Sequence, residues 1–468
     1  MVPYFPRTIA YRAIVIYLIS LGIVSALFFR YIMLWGYIVL GITWVAAFFL
    51  LTQKWSESWR RLSEKYYLRY LIQAALVLRL VWVVGSYFYY LSATGSPFEF
   101  DAADAVGYHD EGTWFAASDW ATIWDAYFGA GFHGVSDVGY PFYLGIIYKI
   151  FGPVIIIPRI IKAFLSTFTC ILLYRLTSRI VGEDMGRLAG IIAALMPNLV
   201  IYCGYHMKET EMLFLEVAFL ERADYLLRTS RTRFWDVFFP SLLALSLFFF
   251  RTVLGVAAGF SLATSVLVSN APSMKRDLKR ASLVLWGVLC VIVIGGGTIM
   301  TEIEGYWEDR DENVVQKRAE QTARGNQWAQ YATGAVMAPM VFVLPFSTMV
   351  NVDEQYAQQA KHSGNFVRNF MGFFAILAFF EAFRRKTWRD FALPGSFVVA
   401  YLGVVALSGF SNSERFLLPG LPPLILLWTY GITSLRRQTF RFFYPWCVVV
   451  VLMEVAWAYF KLGSRGLF

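Results

Sequence analysis

The stretch from Phe100 to Gly112, F-D-A-A-D-A-V-G-Y-H-D-E-G, concentrates side chains that move protons and hold hydroxyl groups. A carboxylate can take the proton of a sugar hydroxyl as that oxygen attacks an activated anomeric carbon, provided the two come within about 3 Å in the complex. Asp104 is the candidate for that base; Asp101 is a candidate to bind acceptor hydroxyls, and Tyr108 and His109 offer hydrogen bonds. Asp101 and Asp104 are also candidate ligands for a divalent cation, Mg²⁺ or Ca²⁺, because such ions prefer hard oxygen donors. The competing reading of the stretch is an acidic solvated loop, which is what most charge runs are. Complementary cations stand elsewhere: Arg159 after Pro158, Lys208 beside Glu209 in H-M-K-E-T, and Arg415 in S-N-S-E-R-F. Such residues attract a phosphate, and arginine can also hold it with two parallel hydrogen bonds. Ion pairing with Glu209 or Glu414 is the alternative use of the same cations.

The elements that must position these groups are membrane helices. Of 468 residues, 58% are apolar or aromatic and 16% charged, against about a quarter charged in ordinary soluble domains, which excludes a cytosolic enzyme of the usual kind. Apolar runs near 8–29, 31–51, 70–91, 158–176, 187–206, 209–227, 238–250, 253–269, 281–299, 366–383, 391–409, 417–432 and 441–460 predict an all-α polytopic membrane protein of roughly 11–14 spans. The first run follows Arg7, has no small-residue cleavage signature and is read as a retained helix. Two further stretches, 141–157 and 335–350, are short and broken by Pro153, Pro339 and Pro345, which favours interfacial or re-entrant segments over spans.

The 41 basic residues recur as clusters between apolar runs, which marks topology and excludes a nucleic-acid-binding domain. With the N-terminus inside, the clusters around Arg60, Arg179, Arg228, Lys275, Arg384 and Arg436 all fall on the cytoplasmic side. The opposite side carries loop 92–139, with eight acidic residues and no Lys or Arg. Within it, Trp114, Phe115, Trp120, Ile123, Trp124, Tyr127 and Phe128 recur at helical intervals, predicting an interfacial amphipathic helix that could wall a lipid entrance. The expected organisation is an N-terminal two-helix hairpin with a cytoplasmic loop (1–69), a membrane core (70–299), an external and re-entrant or interfacial segment (300–365) and C-terminal membrane helices (366–468). Cys170, Cys203, Cys290 and Cys447 all lie in apolar runs and read as buried residues, not disulfides or metal ligands. The four histidines, His109, His133, His206 and His362, have no zinc-site spacing.

The motifs and their order resemble the integral-membrane glycosyltransferases of the GT-C superfamily, in particular the bacterial relatives of protein O-mannosyltransferases and of the aminoarabinose transferase that modifies lipid A. D-A-V-G-Y, Asp104 to Tyr108, resembles their Asp-x-x-x-Tyr motif in the first large external loop. G-Y-P-F-Y-L-G-I-I-Y-K-I-F-G to Gly152, P-R-I-I-K-A-F from Pro158, the K-E-T turn at Lys208–Thr210 and E-R-F-L-L-P-G-L-P-P from Glu414 are similar to later family segments. The resemblance covers residues 70–230 and 391–432. It implies a GT-C-like fold with Asp104 as the acceptor-activating base, Arg159, Lys208 and Arg415 as donor-phosphate contacts, and Glu209 organising the cavity. It also implies a polyprenyl-phosphate sugar donor and transfer, commonly inverting, outside the cytoplasm. The chain departs from the family by two apparent spans before the usual first one and by lacking a large soluble acceptor-binding domain. The expected acceptor is therefore a cell-envelope glycan or glycolipid, and the expected location a bacterial inner membrane with the site facing the periplasm or cell exterior. The competing functions are a transporter of polysaccharide or lipid-linked glycan, and an envelope glycan polymerase or ligase.

Overall fold

The computed structural model describes residues 4–100, 102–128, 138–229, 233–268, 340, 343–352, 356–407, 413–463 and 467. Among them the regular structure is helical, apart from one antiparallel bridge between Ile32 and Val350. Helices α1 (Arg7–Leu27), α2 (Trp35–Trp59) and α3 (Glu64–Thr94) come first. Two short helices, α4 (Ala103–Ala117) and α5 (Trp120–Phe128), precede α6 (Gly139–Phe151) and α7 (Ile156–Val181). Then come α8 (Glu183–Leu195), α9 (Pro197–Ile201), α10 (Glu209–Arg228), α11 (Phe234–Phe250) and α12 (Thr252–Val268). The last part holds α13 (Tyr356–Arg384), α14 (Ala392–Leu407), α15 (Glu414–Leu417), α16 (Leu421–Thr433), α17 (Arg437–Phe440) and α18 (Phe443–Gly463).

Eight described helical segments are long and apolar enough to cross a membrane, the bent pair α8–α9 makes a ninth, and α11 and α12 are shorter apolar helices. The chain is thus an all-α, multi-pass membrane protein. The span expected at 281–299 lies outside the described residues, as do residues 300–339 of the external segment and the cysteine at 290. The stretch expected to be interfacial at 141–157 holds most of the 13-residue α6 and the first residues of α7. The described residues 343–350 are not helical. Their backbone is met inside the bundle by Asn369, which donates to the carbonyls of Val343 (2.7 Å) and Pro345 (3.0 Å), and by Glu454, which accepts from the Ser347 amide (2.9 Å). Glu454 lies nine residues before Gly463, so Ser347 sits on the order of 14 Å along α18 from its C-terminal end. Irregular backbone at that depth survives only where protein groups satisfy it.

Charge sorts to two ends. At one end Arg187 donates to the carbonyls of Trp59, Arg60 and Leu62, and Arg179 pairs with Glu221 and Asp224. At the same end Glu381 collects Arg384, Arg385 and Arg436. These are the residues expected on the cytoplasmic side, and they lock neighbouring helices together there. The N-terminal helices are part of the same body: Tyr17 of α1 shares a 2.7 Å hydrogen bond with His362 of α13, and both press on Gly41 of α2.

The element that shapes the other end is the 54° bend between α8 and α9. Pro197 has no amide hydrogen, so the carbonyl of Ala193 loses its helical partner there. Arg79 of α3, fully buried, fills the gap: its guanidinium donates to the carbonyls of Ala193 (3.2 Å) and Ala194 (3.1 Å) and, through Nε, to Ser166 Oγ (2.7 Å). The bend turns the chain after α9 into the end of the bundle opposite the arginine clusters, where Lys208 and Glu209 begin α10. Replacing Arg79 with Leu strands those carbonyls, at roughly 1–3 kcal/mol each. Arg79→Leu should lower the thermal unfolding midpoint in detergent, and adding Pro197→Ala, which restores an amide for Ala193, should recover part of the loss. Wild-type melting of Arg79→Leu would refute this account.

Candidate active site

Helix α4 carries Asp104 in its first turn, where a carboxylate faces the positive end of the helix dipole, and Tyr108 one turn later on the same face. The same stripe, continued through Gly112 and Phe115, packs on α6. Gly112 lies against Leu144 and Tyr148, and Gly145 admits the ring of Phe115 so closely that a Cβ at position 145 would stand 2.4 Å from it. Two small residues thus let α4 and α6 meet face to face, which fixes the direction in which Asp104 and Tyr108 point.

Both point at Arg415. This residue sits in the four-residue helix α15 and engages three groups at once: Asp104 through Nη1, the carboxylate of Glu209 through Nε, and the Tyr108 hydroxyl through Nη2 at 3.2 Å. The two carboxylates differ in their surroundings: Asp104 has 54% of its side chain exposed, whereas Glu209 has 1%. Arg251, in the turn between α11 and α12, approaches Glu209 from behind at 4.0 Å, is held by the Tyr401 hydroxyl at 3.1 Å, and lies 4.5 Å from the centroid of the Phe416 ring. Lys208 donates to the Phe250 carbonyl at 3.0 Å and stands 5.8 Å from the Tyr108 ring centroid. Around one sealed carboxylate the fold therefore gathers three cations, with a second, solvent-reaching carboxylate in front.

Tyr108 accepts from Arg415, and burial pushes its pKa up to about 12, so it keeps its proton and can donate it to a ligand. Burial also lifts the Glu111 carboxyl above its ordinary range and lowers the His109 imidazole, which is neutral at pH 7 as a result.

A second layer holds Arg415 in place. Glu414, its neighbour, pairs with Lys361 of α13 at 3.0 Å and accepts from Asn198 of α9, which also donates to Asn365 at 3.1 Å. The Pro197 bend thus reaches the site through Asn198.

No protein-family model and no curated protein matches the sequence. Among solved structures the chain is similar to one described as the archaeal oligosaccharyltransferase AglB from Archaeoglobus fulgidus in complex with an inhibitory peptide and a dolichol-phosphate. The TM-score is 0.46 at 12% identity, over 86% of this chain and 56% of that one. The chain therefore spans little more than half the length of that protein.

Of the residues singled out in the sequence, the structure brings Asp104, Tyr108, Lys208, Glu209 and Arg415 together. It does not bring His109 or Arg159 to them. His109 lies about 100° round α4 from Tyr108, and its Nδ1 shares a 2.9 Å hydrogen bond with Tyr148 of α6, which in turn meets His206 at 3.1 Å. Arg159 is fully buried and pairs with Glu99 at 3.4 Å, in a separate cluster with Lys162, Glu211 and His206. Tyr140 stands between the two groups, 5.1 Å from the Tyr108 ring and 5.0 Å from the Lys162 ammonium. Asp101 lies outside the described residues, and among those described no group of three or more His, Cys, Asp or Glu is placed to hold a metal ion.

Arg251, Tyr401 and Lys361 were not singled out. For Arg251 the signal was available: it is a lone cation in the break between two apolar runs at the outward end, the same criterion that selects Arg159, Lys208 and Arg415. The geometry predicts an asymmetry between the two carboxylates. Glu209→Gln leaves clustered cations buried without a counter-charge and should cost roughly 3–5 kcal/mol. Asp104→Asn removes an exposed partner and should cost no more than about 1 kcal/mol. Unfolding midpoints of the two variants that coincide would contradict this arrangement.

Proposed function

We propose that the chain is a GT-C-like membrane glycosyltransferase that moves a sugar from a polyprenyl-phosphate donor to a cell-envelope glycan or glycolipid acceptor outside the cytoplasm. The observation that carries the reading is the reach of Arg415, which joins a solvent-reaching carboxylate to a buried seat of cations. Acceptor chemistry needs a base open to water; a lipid phosphate needs fixed positive charge at the edge of the membrane. The orientation follows from the basic residues gathered at the far end of the bundle, which favour the cytoplasm.

In this mechanism the donor phosphate settles on Arg415, with Lys208 and Arg251 behind it, and takes over the guanidinium edge that Asp104 holds in the free protein. Asp104 then faces the acceptor hydroxyl. The acceptor oxygen attacks the anomeric carbon on the side opposite the phosphate while its proton passes to the Asp104 carboxylate. The bond between the anomeric carbon and the phosphate oxygen breaks, its electron pair leaves with the polyprenyl phosphate, and the cations meet the charge that grows there. One displacement inverts the configuration at the anomeric carbon. Tyr108 donates its hydroxyl proton to a phosphate or sugar oxygen. Asp104, together with Asp101, would hold a divalent cation at this edge, and no step is routed through it.

A reconstituted assay with a panel of polyprenyl-phosphate sugars and envelope-derived acceptors tests the reading. Asp104→Asn should lower kcat by roughly 10²–10⁴-fold, the span of general-base catalysis. Its affinity for the donor should be unchanged or tighter, because Arg415 has lost a competitor for the phosphate. Full activity in Asp104→Asn would remove the base, and absence of transfer across the panel by the wild-type protein would remove the glycosyl-transfer reading itself. In the same assay Arg251→Met should raise KM for the donor more than it lowers kcat, as loss of phosphate binding demands; an effect confined to the acceptor KM would reassign Arg251.

A further inference from the structure

A groove of about 910 Å³ runs between α2 and α3, closed at one end by the start of α13. We infer that it holds the isoprenoid chain of the donor lipid, an inference that rests on the glycosyl-transfer reading of the neighbouring site. Trp44 and Ala47 of α2, Trp82, Gly85 and Tyr89 of α3, and Tyr356 of α13 line it. Its wall offers little to a polar ligand. The hydroxyls of Thr43 and Ser86 donate to carbonyls one turn back in their own helices, at 2.8 and 3.3 Å, and the Trp82 indole donates to the Ile201 carbonyl at 3.1 Å. Gly36 and Gly85 face the open space of the groove: a Cβ built at either position meets nothing within 4 Å.

The length and position of the groove fit one lipid chain. From Leu78 to Tyr90 it follows twelve residue steps of α3, about 18 Å, close to the half-thickness of a hydrocarbon core of about 30 Å. These residues belong to the outer half of α3 and the opening half of α2, the end at which Asp104 and Arg415 meet. Val81, two-thirds exposed, marks the side open to the bilayer.

The head of the groove abuts the site. Tyr90, Phe100 and Tyr356 form its closing wall, with ring centroids 5.4 and 5.8 Å apart in sequence, and Tyr205 stands 6.5 Å behind Tyr90. On the far side of Tyr205, at 5.7 Å from its ring, is the ammonium of Lys361, which pairs with Glu414 next to Arg415. Two aromatic rings, Tyr90 and Tyr205, thus stand between the groove and the first cation that a lipid phosphate meets. A two-chain phospholipid would have to leave its second chain outside. The groove is framed by α2, one of the two helices that the sequence carries in addition to the family pattern, which gives that helix a task.

Chain-length dependence tests the assignment. In proteoliposomes, Gly85→Trp and, from the opposite wall, Ala47→Trp should raise KM for a long-chain polyprenyl-phosphate sugar at least about tenfold, since each buried methylene contributes a factor of roughly four. The same variants should leave transfer from a donor of one isoprene unit unchanged, and Gly85→Ala should behave as wild type with both donors. Independently of turnover, a polyprenyl phosphate with a terminal benzophenone should crosslink to peptides of α2 or α3, competed by unlabelled polyprenyl phosphate and not by phosphatidylglycerol. Crosslinking to the groove without transfer from any donor would sustain the groove and overturn the glycosyl-transfer reading. Transfer with both Trp variants insensitive to chain length, crosslinks elsewhere, or equal competition by phosphatidylglycerol would overturn the groove.

Discussion

A carboxylate sealed near one end of a membrane bundle cannot stay ionised unless cations stand within a few ångströms of it, and Glu209 imposes that demand on everything around it. A single opposite charge at 4 Å contributes on the order of 4 kcal/mol in a protein-like medium, less than the cost of taking an ion fully out of water, so one partner does not suffice. The fold supplies Arg415 and Arg251 as partners and Lys208 beside them, each from a different part of the chain. The short helix α15, the turn between α11 and α12, and the start of α10 are held to one another by this requirement. Tyr401 extends the same logic, accepting from Arg251 and donating to the Phe416 carbonyl at 2.9 Å, and so ties α14 to the residue after Arg415.

A second buried charge supports the first from a distance. Arg79 has no carboxylate among its hydrogen-bond partners; its donors go to carbonyls, a hydroxyl and the Cys170 sulfur, and the carbonyl at Ala193 is free because Pro197 follows four residues later. The bend that results places Asn198 against Glu414 and Asn365, with Gly364 leaving room for the Asn198 side chain, whose Oδ1 lies only 1.6 Å from where a Cβ would be. Bend, asparagine and Glu414 form one route from the middle of the bundle to Arg415.

Most of the spans were legible because a helix crossing a membrane needs about 20 apolar residues. The run at 209–227 is instead α10, whose buried acids Glu209, Glu211, Glu216, Glu221 and Asp224 leave it outside the described helices apolar enough to cross. The pairing of charges was less legible. Outward cations mark a local need for negative charge, but the criterion does not say which carboxylate meets them: Arg159 found Glu99, sixty residues away, while Arg415 found Glu209 and Asp104. His109 shows a finer limit. It stands one residue from Tyr108, and one residue turns a helix by about 100°, so the two side chains face different neighbours. That separation was readable once the helix was assumed, as was the outward position of Arg251. Lys361 was not readable, since it enters the site only because α13 packs against α9 and α15.

The exposures of Asp104 and Glu209 decide how Arg415 behaves when a second anion arrives. The Asp104 pair is open to water and salt, so its worth is that of a surface ion pair, about 0–1 kcal/mol. The Glu209 pair is sealed, and breaking it leaves an uncompensated buried charge at a cost of roughly 3–5 kcal/mol. An anion that competes for the guanidinium therefore displaces Asp104 and leaves Glu209 in place. Arg415 keeps its anchor on the buried side and turns its other edge to the newcomer, so the carboxylate freed by the exchange is the one that already faces water and any hydroxyl arriving from it.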